Sequence, residues 1–157
     1  MPREKTAGKK LENSIQKANF YYRKKELACI QYLPVPVRIT RRGTFLIQST
    51  VDFVGVVGPD GRAIAFDAKH TASKTSFPLS NIHDHQIEYL RSFHKSGGRA
   101  YFLIQFSNIH GEENVFVTPL DFVLSFWDKT KIGGRKSIPL GDFDANWLKS
   151  LDNYLKL

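Results

Sequence analysis

The sequence predicts a single α/β domain, with a mixed central sheet flanked by helices. Three observations predict it. Four apolar runs have the length and residue types of strands: 50–57 (TVDFVGVV), 62–69 (RAIAFDAK), 99–107 (RAYFLIQFS) and 114–118 (NVFVT). Segments with helical periodicity alternate with them. The 157 residues, 41% of them hydrophobic, contain no repeat and no linker long enough to divide the chain. One core of layered strands and helices follows.

Taken in order, residues 1–9 (MPREKTAGK) read as a flexible basic arm, and residues 10–157 as the domain. A helix is expected from about Lys10 to Cys29, because Leu11, Ile15, Ala18 and Tyr22 recur at four-three-four spacing. Pro34 and Pro36 then force extended chain. Val35, Val37 and Ile39 alternate with Pro36 and Arg38, as in a strand or edge segment, and Arg41-Arg42-Gly43 reads as an exposed turn. The runs 50–57 and 62–69 flank Gly58-Pro59-Asp60-Gly61, a strong hairpin signal. Both are apolar on both faces, like central strands of a covered sheet. A second helix is expected from about Asn81 to Ser96, capped by Ser80 or Asn81 and ended by Gly97-Gly98. After the later strands, Pro119 and Asp121 open a short helix. Residues 128–137 form a basic, glycine-containing loop, and Trp147, Leu151 and Tyr154 suggest a C-terminal helix.

Composition narrows the class of function. The formal net charge is +8, which favours polyanionic partners, nucleic acid first and anionic membrane second. No apolar run reaches membrane-spanning length, and Met1–Lys10 lacks the apolar stretch of a secretory signal. Cys29 is the only cysteine, so neither an intramolecular disulfide nor a zinc-finger framework is expected. A reducing, cytoplasmic setting fits.

Asp52, Asp67 and Lys69 each interrupt an apolar strand. A charge buried there has to be paired or to bind metal. Residues 67 and 69 share one face of their strand. If the hairpin closes symmetrically about Pro59-Asp60, Asp52 lies opposite Asp67. A type I turn with Gly61 as a bulge would instead shift the pairing by one and split the two carboxylates. Two carboxylates can hold Mg²⁺, which prefers oxygen ligands and activates a bound water against a phosphodiester, with a lysine stabilising the developing charge. A plain Asp–Lys ion pair inside the sheet is the structural alternative.

The segment QSTVDFVGVVGPDGRAIAFDAKHTASKTSFPLSNIHDHQIEYL (48–90) resembles the core of the RecU family of Holliday junction resolvases, within the PD-(D/E)xK nuclease superfamily. FWDKTKIGGRKSIP (126–139) and, more loosely, LENSIQKANFYY (11–22) extend the resemblance over most of the chain. It implies a restriction-endonuclease-like fold and an Mg²⁺-dependent endonuclease (Mn²⁺ as a substitute) that resolves four-way DNA as a homodimer. It implies Asp52 and Asp67 as metal carboxylates, Lys69 as the motif lysine, and Thr50 and Gln86 in the metal shell. Glu12 is a candidate accessory acid from the first helix. Two departures stand out. Position 67 is Asp where the bacterial members carry Glu, and only VRITRRGTFLIQ fills the place of a longer stalk, which is therefore expected to be shortened or absent.

Arg38, Arg41, Arg42, Lys74, Arg135 and Lys136 are candidate DNA contacts, since basic clusters gain affinity by releasing counterions from phosphates. Phe77 is either a wedge that stacks on bases or an anchor for its loop. Apolar residues near Val35, Val37 and Phe45 are candidates for a dimer interface. Rival readings are a nuclease of the same superfamily acting on flap, nicked or duplex DNA, and a non-cutting DNA-binding recombination mediator. A recombinase partner is left unidentified.

Overall fold

The computed structural model describes residues 2–156, with side chains from Lys5 onward. Helix α1 (Pro2–Lys24) is followed by β1 (Ala28–Tyr32), β2 (Val37–Thr40), β3 (Gly43–Leu46), β4 (Phe53–Val57), β5 (Arg62–Thr71) and β6 (Ser76–Pro78). Then come α2 (Asp84–Lys95), β7 (Arg99–Phe106), the one-turn α3 (Ser107–His110), β8 (Asn114–Pro119), α4 (Leu120–Thr130), β9 (Ser137–Pro139) and β10 (Leu148–Ser150). A six-stranded sheet runs β1-β4-β5-β7-β8-β10. It is mixed, as expected: β5 and β7 are parallel, joined by the α2 crossover, and the remaining pairs are antiparallel.

Alternation along β5 and β7 sends residues to two cores. Phe53, Ile64, Phe66, Tyr101 and Leu103 pack under the α1 stripe of Leu11, Ile15, Ala18 and Tyr22. Ala65, Phe102 and Ile104 pack on the other face against Ile87 and Leu90 of α2 and Val123 of α4. Both faces being covered accounts for the near-continuous apolar runs.

The β4–β5 hairpin takes the symmetric register. Phe53 pairs with Phe66 and Val57 with Arg62, which leaves a four-residue loop, Gly58–Gly61. That loop seats Pro59 without a bulge, and Gly61 supplies the left-handed residue at φ 71°. On the far side of β4, Gly55 meets β1 so closely that a Cβ would lie 2.2 Å from the Cys29 carbonyl oxygen.

Three expectations change. The expected basic arm is helical from Pro2, because proline suits a first helical turn and a helix anchored at Leu11 propagates back through tolerant residues. That helix ends at Lys24, and Ala28–Tyr32 forms an edge strand on β4. The C-terminal segment is not an α-helix: short 3-10 turns surround β10, which adds an edge strand to β8. The short stalk region agrees with its expected strand and exposed turn: it is a two-stranded hairpin, β2 and β3, with every residue exposed.

Candidate active site

Asp67 and Lys69 lie on the α2-facing side of β5, and Asp52 immediately precedes β4. The symmetric register brings Asp52 beside Asp67. The Asp52 N–H donates to Asp67 Oδ1 at 3.0 Å, and the Ala68 N–H donates to Asp52 Oδ2 at 2.9 Å. Lys69 Nζ pairs with Asp67 Oδ2 at 2.8 Å. Asp67 is only 1% exposed.

Gln86, in the first turn of α2, ties this group to the helix. Its Nε2 donates to Asp67 Oδ2 at 3.0 Å. Its Oε1 accepts from Lys69 Nζ and from the His83 N–H, each at 3.0 Å. A carboxylate on one side and two obligate donors on the other fix which way the amide points. His83, rather than Ser80 or Asn81, caps α2, in a reciprocal capping box with Gln86. The residue that organises the carboxylate therefore also satisfies the helix start.

The electrostatics are unbalanced. Lys69 pairs with Asp67 alone, and among the described residues Asp52 has no cation partner. Burial first, and then the adjacent Asp67 carboxylate, push the Asp52 carboxyl up to about 8. Glu12 on α1 adds a smaller push in the same direction. It accepts hydrogen bonds from Tyr32 Oη at 3.0 Å and Lys9 Nζ at 3.2 Å. Excess negative charge on oxygen donors fits a hard divalent cation, which would relieve the repulsion that raises Asp52. Among the described residues no group of three or more His, Cys, Asp or Glu side chains could hold a metal ion, so water would complete an oxygen shell here.

The other candidates are dispersed. Thr50 is exposed and lines a groove along α2 with Gln48, His85, Tyr89 and Arg91. Arg38, Arg41 and Arg42 lie on the exposed hairpin. Lys74 is exposed on the loop before β6, and Arg135 and Lys136 are exposed just before β9. Because β6 pairs with β9, these two loops are neighbours. Phe77 is corrected: it is 0% exposed and sits in the core on the α2 side of the sheet, facing Ile138 across the β6–β9 pair. It anchors its loop and offers no face to a base. The Ala68 amide and Tyr32 are participants that the sequence did not flag, since a backbone donor leaves no residue signal and Tyr32 reaches Glu12 only through the unforeseen β1.

The family model described as "Recombination protein U" (RecU) matches residues 6–157, nearly the whole chain. The chain belongs to the RecU family. Among RecU relatives, the Holliday junction resolvase RecU of Pediococcus pentosaceus is 36% identical over 149 residues, covering 87% of this chain and 72% of the relative. That of Geobacillus sp. is 35% identical over 144 residues, covering 84% and 69%. The Staphylococcus aureus protein of the same description is 33% identical over 151 residues, covering 88% and 70%.

Proposed function

We propose that this chain is a divalent-metal-dependent endodeoxyribonuclease that resolves four-way DNA junctions during recombination and repair. The observation that carries the reading is the Asp52–Asp67–Lys69 group, in a chain related along its length to proteins described as Holliday junction resolvases. Asp52 and Asp67 hold the ion, Mg²⁺ with Mn²⁺ as substitute. When bound, the ion lowers the pKa of a water and stabilises charge on the scissile phosphate. Lys69 orients that water and steadies the transition state. Gln86 orients Asp67 and Lys69 and completes the metal shell with Thr50, while Glu12 supports the acidic side.

Phosphate contacts come from Arg38, Arg41 and Arg42 on the hairpin and from Lys74, Arg135 and Lys136 on the paired loops. Resolution needs two matched cuts, which a two-fold homodimer in the cytoplasm supplies. The test is cleavage of a four-way junction, duplex, flap and single strand with Mg²⁺. Wild type is expected to prefer the junction, and Asp67→Asn to abolish cutting while retaining binding. Equal cutting of duplex and junction would defeat the resolvase assignment. An inert wild type with both Mg²⁺ and Mn²⁺ would favour a non-cutting mediator.

A further inference from the structure

At the opposite end of the sheet from the carboxylates, β5 and β7 begin with two arginines. Ile64 pairs with Arg99 and Asp67 with Phe102, so Arg99 lies three residues, about 10 Å, from the catalytic level. Arg62 is two residues before Ile64, so both arginines share the α1-facing side of the sheet. They line one cavity of about 190 Å³ with Ile64, Tyr101 and Leu155. Asp60 and Asp121 lie along this and the adjoining cavity, but neither pairs with an arginine. Among the described residues the only ion pairs are Lys9–Glu12, Lys10–Glu112, Lys69–Asp67 and Arg91–Asp128.

This is an expensive arrangement as it stands. Arg99 is half-buried, and burial together with the nearby Arg62 charge holds its guanidinium below the usual range. Its Cζ sits 5.7 Å from the centre of the Tyr101 ring, a contact that offsets part of the desolvation. Tyr101 is 2% exposed, yet its hydroxyl has no hydrogen-bond partner. A buried hydroxyl without a partner and a desolvated cation without a counterion each carry a cost that one bound oxyanion would remove. Arg99 and Tyr101 both line the same cavity.

We propose that Arg62, Arg99 and the Tyr101 hydroxyl form a phosphate-binding site separate from the metal carboxylates. The guanidiniums supply the charge and the forked donors suited to phosphate oxygens, and Tyr101 donates one hydrogen bond. The phosphate comes either from solution or from a DNA backbone passing the far end of the sheet. Inorganic phosphate is the probe, added to the whole protein in EDTA against chloride at matched ionic strength, with binding read by ³¹P NMR and by Tm. Phosphate is expected to raise the wild-type Tm and to shift and broaden the ³¹P signal. Arg62→Gln/Arg99→Gln should lose both responses, and Tyr101→Phe should weaken affinity about tenfold. In chloride, Arg99→Gln should melt no lower than wild type, because an uncompensated charge is gone. The exposed Arg62→Gln alone tests the site without disturbing the core. An identical phosphate response in wild type and the double variant overturns the site. Junction binding across a salt series separates the two sources. A salt slope reduced by about 0.9, one phosphate contact, in the double variant assigns the phosphate to DNA, and an unchanged slope with lost phosphate binding assigns it to solution.

Discussion

Asp52 sets the pH behaviour of the metal-free protein. Its carboxyl rises from 3.8 to about 8 on folding, so the native state holds a proton that the unfolded state has released over that interval. Stability from this group is full below about pH 4 and is lost as pH climbs through about 8. Asp52→Asn should therefore raise the Tm of the EDTA-treated protein at pH 8 and leave it nearly unchanged at pH 4. Each kcal/mol corresponds to about 2–4 °C for a domain of this size, well within calorimetric resolution. The same proton must leave before a cation binds, so Mg²⁺ affinity should rise by up to about tenfold per pH unit between pH 6 and 8. Calorimetric titration showing constant affinity over that range would contradict a proton-competitive site. Gln86 belongs to the same chemistry through its ties to Asp67, Lys69 and the His83 amide. Gln86→Ala should cost about 10–100-fold in metal affinity or cleavage rate, measured on the folded fraction. The acids and lysine were legible because charge inside an apolar strand is conspicuous. Gln86 was named only through the family resemblance, because a glutamine on an amphipathic helix looks like any surface residue until the neighbouring strand is placed.

At the scale of elements, the hairpin register was the decisive ambiguity. Proline in the turn left two pairings open, and the four-residue loop resolves them by spanning Val57 to Arg62 without a bulge. Strong apolar runs such as 99–107 were legible almost to the residue, since burial on both faces leaves few alternatives. The short edge pieces were not. Ala28–Tyr32, Ser76–Pro78, Ser137–Pro139 and Leu148–Ser150 become strands through partners distant in sequence, which no local pattern encodes. Phe77 shows the functional consequence, because only the β6–β9 pairing reveals it as core. Phe77→Ala should cost about 3–5 kcal/mol in urea unfolding. The β2–β3 hairpin is the opposite case, exposed throughout and carrying Arg38, Arg41 and Arg42. Replacing all three with glutamine should lower the salt slope of junction binding by up to about 2.7, from three phosphate contacts at about 0.9 each. An unchanged slope would remove the hairpin from the DNA interface.

For the whole molecule, the same hairpin links shape to assembly. Val37 lies opposite Leu46 and Ile39 opposite Thr44, so Val37, Ile39 and Leu46 share one face. Ile39 is 81% exposed and Leu46 77%, a concentration of exposed apolar surface on one hairpin. The face bearing Arg38 and Phe45 points the other way, so one side suits a protein partner and the other a polyanion. A second copy on the apolar side would place two Asp52–Asp67 centres about a two-fold axis, as paired cuts require. Ile39→Asp/Leu46→Asp puts charges into that face without touching either carboxylate. Sedimentation should show a wild-type dimer and a monomeric variant. On a circular DNA carrying one cruciform, wild type should give linear product from two cuts in one encounter, and the variant should stop at nicked circles. A variant that stays dimeric and still cuts both strands together would move the two-fold contact elsewhere on the protein, and Val35 would then be the next apolar position to charge.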